Sequence, residues 1–300
     1  MADASPRRSQ VAGVIQVLRP HQWVKNLLVF VPIFLDHRWM ERQTMAAGVT
    51  AFLGFSLAAS GGYVINDLLD READRNHPNK RNRPFAAADL SPAVGYVLAP
   101  VLLATAVVIA AMLRSHDFLA LLLLYIVLTT AYSAYLKRVA VLDVLLLAGL
   151  YTLRVLAGIA ATGVRFSTWL LAFAMFLFLS LAFLKRHGEL AAIAPDSPAT
   201  SRRRGYLPSD LPWLRTMGTA SGYLAVLVLA LYLNSDQVAV LYRKPAVLFL
   251  VCPLLLFWTG RMWLLAHRGL IHEDPIVASA SDPASYIVGV LVALVLFAAL

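Results

Sequence analysis

The chain has 300 residues, of which 60% are hydrophobic and only 14% charged, with a mean hydropathy of +0.70. A soluble domain carries nearer a quarter charged residues, so the composition excludes one and points to an all-α polytopic membrane protein, read as a single membrane domain over 1–300. The formal net charge of +9 would suggest nucleic acid in a soluble protein; here the excess of cations expected in cytoplasmic loops accounts for most of it, and the membrane, not nucleic acid, is the expected partner.

Residues 1–21 are not expected to form a signal peptide, because the apolar stretch Val11 to Leu18 is short and broken by Arg19-Pro20. Val11, Val14, Ile15 and Leu18 have helical spacing and predict a short amphipathic helix on the membrane surface. Apolar runs then recur near 22–36, 45–66, 93–113, 117–136, 140–162, 168–186, 213–233, 246–266 and 285–300. They predict about nine transmembrane helices, the first and last being short. Pro20, Pro92, Pro212, Pro245 and Pro283 fall near helix starts, where a missing N–H costs least. Cys252 is the only cysteine, so no internal disulfide is possible.

With nine spans and the N-terminus inside, the cytoplasmic side receives 19 basic residues and the other side 6, with Arg154 left inside the membrane. This asymmetry predicts a cytoplasmic membrane location, with the loops 67–92 and 187–212 facing the cytoplasm. Phosphorylated soluble substrates are found on that side.

The most informative stretch is Asn66-Asp67-Leu68-Leu69-Asp70-Arg71-Glu72-Ala73-Asp74. Asp67, Asp70 and Asp74 stand at i, i+3 and i+7, so on a helix they fall within roughly 60° of one another, with Glu72 on the other side. Like charges on one stripe repel unless a cation lies between them. An all-oxygen set suits a hard cation, and Mg²⁺ is the usual choice where phosphates complete the shell. The basic run Arg75, Lys80, Arg81, Arg83 follows directly and could take phosphate oxygens. The plain alternative is a solvated charged loop between two hydrophobic segments. It weakens because the apolar run Phe52 to Ile65 leads straight into the motif, and carboxylates at a membrane boundary point to function.

Other charged or polar residues end the spans. Tyr132 and Lys137 close the fourth and Asp143 opens the fifth; Lys137 alone would read as a flank residue reaching for the interface. Arg154 follows Asp143 by nearly three turns, so both point the same way. Its structural reading, an ion pair holding helices together, stands equal to a role with substrate phosphate. Lys25 and Asn26 follow Trp23, and interfacial anchoring is one reading of them. The seven histidines show no metal-ligand pattern.

Asn-Asp-x-x-Asp-x-x-x-Asp at the end of a membrane helix resembles the first aspartate motif of the UbiA-type intramembrane prenyltransferase superfamily. The extension from Glu72 to Pro84, the block Arg19-Pro20-His21-Gln22-Trp23-Val24-Lys25-Asn26 and the block Lys185-Arg186-His187-Gly188-Glu189-Leu190 are similar to its decaprenyl-phosphate phosphoribosyltransferase branch. The resemblance runs from about Arg19 to about Tyr223. It implies a helical bundle around a cytoplasm-facing polar cavity, with Lys25 and Asn26 in it. It implies Mg²⁺ on Asp67 and Asp70, catalysis by Asp67, Asp70 and Lys185, and substrate contacts from Lys25, Asn26, Asn66, Asp74, Lys80, Arg81, Arg83, Tyr132, Lys137, Arg154, Arg186 and Glu189. The implied partners are phosphoribosyl pyrophosphate and a polyprenyl phosphate lipid, and a homo-oligomer is compatible with it.

Ordinary prenyltransferases of the superfamily carry a second aspartate-rich motif in the loop after Lys185. Here that loop has only Glu189, Asp196 and Asp210, widely spaced, against Lys185, Arg186, Arg202, Arg203 and Arg204. One acidic cluster with several cations suits fewer metal ions and more phosphate groups; Arg202 to Arg204 also fit a membrane-surface basic patch. The implied reaction is substitution at ribose C1 by an anionic lipid phosphate oxygen, which needs no general base. Alternatives are prenyl transfer from a diphosphate to an aromatic or other acceptor, and a non-catalytic transporter. The stretch Ser279 to Ser285 replaces charges expected after the last cytoplasmic loop, so the acceptor lipid is left open.

Overall fold

The computed structural model describes residues 10–76, 80–165, 167–192, 205–271, 275–279 and 281–300. Every regular element among them is helical. Arg202 to Arg204, Asp196, His77 to Asn79 and His272 to Asp274 lie outside the described residues.

The first helix, α1 (Gln10–Leu18), is followed by a tightly wound 3-10 segment (Pro20–Phe30) that continues into α2 (Val31–Leu35). Then come α3 (Arg42–Leu69), the short α4 (Arg71–Arg75), α5 (Pro92–Met112), α6 (His116–Ala134), α7 (Leu142–Thr162) and α8 (Thr168–Ala191). The chain ends with α9 (Leu211–Leu233), α10 (Asp236–Leu241), α11 (Val251–His267), α12 (Pro275–Ser279) and α13 (Pro283–Ala299). Pro20, Pro92, Pro212, Pro245 and Pro283 all fall in the first turn of an element, as the sequence predicts.

Seven helices among the described residues are long and apolar enough to cross a bilayer: α3, α5, α6, α7, α8, α9 with the turn before it, and α11 with the turn before it. The last expected span is the shorter apolar α13. The first, expected over 22–36, differs in kind: its first part is 3-10 helix, and α-helix begins only at Val31.

The described residues group into two compact units. The first comprises Met1–Leu136 and Leu156–Val164, the second Lys137–Val155 and Arg165–Leu300.

The first unit is built on α3. Between lipid-embedded helices, small residues let backbones approach closely and packing replaces the hydrophobic drive. Gly48, Ala51, Gly54, Ala58, Ala59, Gly61 and Gly62 of α3 are buried. A Cβ on Gly61 would strike Leu103 of α5, and one on Gly62 would strike Thr129 of α6. Phe55, fully buried, meets the rings of Phe118 and Tyr125 of α6 in tilted pairs. Helix α1 lays Val14, Val17 and Leu18 against Val64, Phe85 and Leu90. Its other apolar residues, Val11 and Ile15, are exposed, as an interfacial helix requires.

The 3-10 segment is long for its kind, since runs beyond three or four residues are uncommon. Its register against α3 explains how it is held. Three residues of 3-10 helix advance about 6 Å, and so do four residues of α-helix. Trp23 Nε1 donates to Ser60 Oγ at 3.0 Å, and Asn26 Nδ2 donates to Ser56 Oγ at 3.0 Å. The two rows therefore match step for step, antiparallel. Ser60 Oγ in turn donates to Leu18 O at 2.7 Å.

Gly158, in the last turns of α7, closes the segment from another side: a Cβ there would lie 2.1 Å from Val29 O. A backbone oxygen cannot swing away as a side chain does. Gly158→Ala is expected to destabilise the protein by about 1–3 kcal/mol, read as a lower unfolding temperature in detergent. Gly149→Ala on the same helix, with nothing within 4 Å of the added methyl, is the control and should be neutral. Equal behaviour of the two variants would refute the close approach.

The second unit is built on α8 and α9. Ser180 Oγ donates to Gly218 O at 2.7 Å and accepts from Trp263 Nε1 of α11 at 3.1 Å. A Cβ on Gly218 would lie 2.1 Å from the Trp263 ring, so glycine is what admits the indole. The C-terminal helix returns to the α11 side, where Lys244 N donates to Ala299 O and Arg261 pairs with Asp282.

Candidate active site

Helix α3 carries the aspartate motif out of its buried stretch. Asp67 lies in its last turn with 2% of its surface exposed. The α-helix stops at Leu69 and resumes at Arg71, with Asp70 as the joint. The backbone bonds nevertheless run on: Asp70 N donates to Asn66 O, and Asp74 N donates to Asp70 O. The stripe predicted from i, i+3, i+7 spacing is thus kept across the break. Glu72 is exposed, on the other side.

Arg83 shows how close the carboxylates lie. Its Nη1 donates to Asp67 Oδ1 at 2.9 Å and to Asp74 Oδ2 at 2.7 Å, so those two oxygens are no more than about 5.6 Å apart. Arg19, between α1 and the 3-10 segment, also reaches Asp67. Its Nη2 donates to both oxygens of Asp67, at 2.7 and 2.8 Å, and its guanidinium lies over the Tyr63 ring, 5.1 Å from the centroid. Burial pushes the Asp74 carboxyl above its ordinary value, Arg83 and Lys80 pull it back, and the charge of Asp67 adds to the rise. The cluster therefore has a standing demand for positive charge.

Other expected residues of this unit lie in the 3-10 segment, at the end of α3, in the loop that follows and at the end of α6. Lys25 and Asn26 are buried, at 6% and 1% exposure. Asn66 and Asp70 are half-buried, as are Lys80 and Tyr132, while Arg81 is exposed. Arg19 was not among the expected site residues. In the structure it is marked by a left-handed backbone, with φ 51° and ψ 58°. Such a conformation in a non-glycine residue persists only where its surroundings over-determine it.

The second unit holds a separate polar cluster. Arg186 of α8 is 2% exposed. Its Nη2 lies 2.6 Å from Asp143 Oδ2, where Asp143 is fully buried at the start of α7, and its Nη1 pairs with Glu189. Tyr206 OH donates to Asp143 Oδ1 at 2.8 Å and accepts from Val141 N at 2.7 Å. Burial, with the bond to Asp143, raises the Tyr206 phenol well above its ordinary value, so it stays a donor. Val141 has φ 68°, costly for a β-branched residue, and the Tyr206 bond to its N–H helps hold it there. Lys137 is buried and Lys185 half-buried in the same unit.

Arg154 and Asp143 do sit on one helix, but the carboxylate oxygens of Asp143 lie on Arg186 and Tyr206. Arg154 donates to Leu150 O and covers the Tyr151 ring, 5.4 Å from its centroid. Tyr206 was missed in sequence because its partners stand 63 and 65 residues away.

No group of three or more His, Cys, Asp or Glu poised to hold a metal is found among the described residues. The donor set fits Mg²⁺ all the same. That ion is usually bound by one or two carboxylates and completed by substrate phosphates and water, and Asp67 and Asp74 already converge on one positive nitrogen.

Comparison with known proteins bears on this arrangement. The UbiA prenyltransferase family matches residues 41–270. The protein y4nM of Sinorhizobium fredii is 41% identical over 292 residues, which cover 96% of this chain and 56% of that protein; this chain thus spans little more than half of that relative's length. The nodulation protein NoeC of Azorhizobium caulinodans is 36% identical, covering 91% of this chain and 88% of its own. A decaprenyl-phosphate phosphoribosyltransferase of Mycolicibacterium smegmatis is 40% identical over 225 residues, 73% of this chain and 70% of that enzyme. Among solved structures, a UbiA homologue from Archaeoglobus fulgidus bound to GPP and Mg²⁺ superposes with a TM-score of 0.73 at 18% identity, covering 95% of this chain and 98% of that one.

Proposed function

The chain belongs to the UbiA prenyltransferase family, and we propose that it transfers 5-phosphoribose from phosphoribosyl pyrophosphate to a polyprenyl phosphate, with Mg²⁺ as cofactor. The observation that carries this reading is the fate of the carboxylates in the second unit. Asp143 and Glu189 are both engaged by Arg186, and Lys137, Arg138 and Lys185 add further positive charge. A prenyl diphosphate has one anionic end, which two acidic motifs normally hold through metal. Phosphoribosyl pyrophosphate has a second, its 5-phosphate, which cations can take directly. The 40% identity to a decaprenyl-phosphate phosphoribosyltransferase points the same way.

In this mechanism Asp67 and Asp74, with Asp70 between them, hold the metal, which when bound neutralises charge on the departing pyrophosphate. Lys80, Arg81 and Arg83 from the following loop take pyrophosphate oxygens. Lys25, Asn26, Asn66 and Tyr132 orient the ribose and its leaving group, and Lys185 and Lys137 hold the 5-phosphate. Arg186 and Glu189 keep the Lys185 end of α8 in place, and Arg154, buried on α7, is a further cation for substrate phosphate. The bond from C1 to the pyrophosphate oxygen breaks, and a bond from C1 to a lipid phosphate oxygen forms. That oxygen is anionic already, so no base is called for. The products are pyrophosphate and a lipid phosphodiester. The 19-to-6 division of basic residues supports a cytoplasmic membrane location with the donor site facing the cytoplasm.

The test is incubation of purified protein and Mg²⁺ with phosphoribosyl pyrophosphate and a short polyprenyl phosphate, with mass spectrometry of the lipid. Gain of one phosphoribosyl group is expected. Lys185→Ala should weaken phosphoribosyl pyrophosphate binding roughly tenfold or more and leave geranyl diphosphate binding nearly unchanged. Preference for the prenyl diphosphate, with its consumption, would overturn the reading in favour of prenyl transfer.

A further inference from the structure

Both oxygens of Asp67 are engaged. Arg19 donates to each of them and Arg83 donates to one. These three hydrogen bonds leave one of the carboxylate's about four lone-pair sites, so a divalent cation that grips both oxygens must displace the Arg19 nitrogen that spans them. Arg83 has a second carboxylate in Asp74. Arg83 turns to pyrophosphate in the mechanism above, so Arg19 is the cation that stays on both oxygens of Asp67, and its ion pair must also give way for a metal to grip them.

We propose that Arg19 is an exchanging counter-ion of the donor site: it neutralises Asp67 while the metal is absent, and transfers its guanidinium to the donor's pyrophosphate when the metal takes Asp67. This rests on the phosphoryl-donor site described above. Four features support the exchange. The Arg19 side chain is 21% exposed against 2% for Asp67, so the arginine is the partner with room to move. Its cation–π contact with Tyr63 keeps the guanidinium beside the cluster when the carboxylate is lost. The residue hangs between α1 and the 3-10 segment on a left-handed backbone, so a side-chain rotation, not a helix shift, is all that is asked of it. Arg19 Nη2, which donates to both oxygens of Asp67, can donate to pyrophosphate oxygens in the same way, so the exchange replaces the hydrogen bonds it gives up.

The proposal separates two affinities that a structural role would not. Mn²⁺ serves as probe, read by electron paramagnetic resonance on the full-length protein in detergent, first alone and then with inorganic pyrophosphate. Arg19→Gln should bind Mn²⁺ about 3- to 10-fold more tightly than the native protein, because a part-exposed competitor has gone. The same variant, once loaded with Mn²⁺, should bind pyrophosphate roughly tenfold more weakly. Arg19→Lys, which keeps the charge but not the fork, should fall between. Arg71→Gln removes an equal charge nearby and should move neither affinity by more than about twofold. Thermal unfolding of each variant establishes that it is folded; if Arg19→Gln does not fold, Arg19→Lys carries the comparison. Shifts of the same sign in both affinities, or no shift in either, would overturn the exchange, as would Arg71→Gln behaving like Arg19→Gln. Absence of Mn²⁺ binding to the native protein would overturn it together with the metal assignment, an outcome distinct from the failure of the exchange alone.

Discussion

Asp67→Asn should abolish transfer, by about a thousandfold or more, while the chain stays folded in detergent. The carboxylate is nearly fully buried and sits where Arg83 joins it to Asp74. An amide there offers one neutral oxygen in place of a charged pair, and charge neutralisation on a leaving pyrophosphate is the largest contribution a metal and its ligands make to such a reaction. The effect on stability is smaller. Arg83 keeps Asp74, and Arg19 is exposed enough to turn to water. A loss of about 1–3 kcal/mol covers the weakened hydrogen bonds. Product formation followed by mass spectrometry, beside an unfolding curve, separates the two effects. Turnover within tenfold of native, or full turnover of the native chain in excess EDTA, would sink the role given to Asp67.

The second large effect is on stability. Asp143 and Arg186 are 0% and 2% exposed, so each is the other's compensation for leaving water. Asp143→Leu takes from a buried guanidinium its buried partner, leaving Glu189, itself 34% exposed, among its contacts, and deprives Tyr206 of its acceptor. Removal of one partner from such a pair costs about 3–5 kcal/mol. Asp143→Leu combined with Arg186→Met removes both charges and should recover much of that loss, because desolvation of the pair consumes most of its attraction. Equilibrium unfolding in detergent reads all three proteins. A single variant as stable as the native protein would mean that the pair does not exist as described.

How much of this was legible in the sequence depends on distance along the chain. The face shared by Asp67 and Asp74 follows from helical spacing alone, and it survives the break at Asp70 because the i to i−4 bonds continue through it. The spans follow from hydropathy, which needs no tertiary information. Arg19 and Tyr206 were hidden because an ion pair across 48 residues and a hydrogen bond across 63 leave no periodic trace. Arg186 illustrates a subtler limit. Its charge suggested a phosphate ligand, but only the fold brings Asp143 to it from the start of α7. The winding of residues 20–30 was also hidden: apolar content over 22–36 is the same in either kind of helix, and the choice is made by contacts with Ser56, Ser60 and Gly158.

That winding makes the 3-10 segment and α3 a vernier, two scales with different divisions that coincide about every 6 Å. Marks meet at Trp23 with Ser60 and at Asn26 with Ser56. Rewound as α-helix, the eleven residues would shorten by about 5 Å, and Trp23, Asn26 and Val29 would fan over about 120° instead of forming a row. Only one serine could then be reached at a time. A residue inserted between the marks would put the scales out of step by about 2 Å, more than a hydrogen bond can follow. The spacing of three between Trp23 and Asn26 is therefore a measured length, and Lys25 and Asn26 are set beside α3 by counting as much as by chemistry.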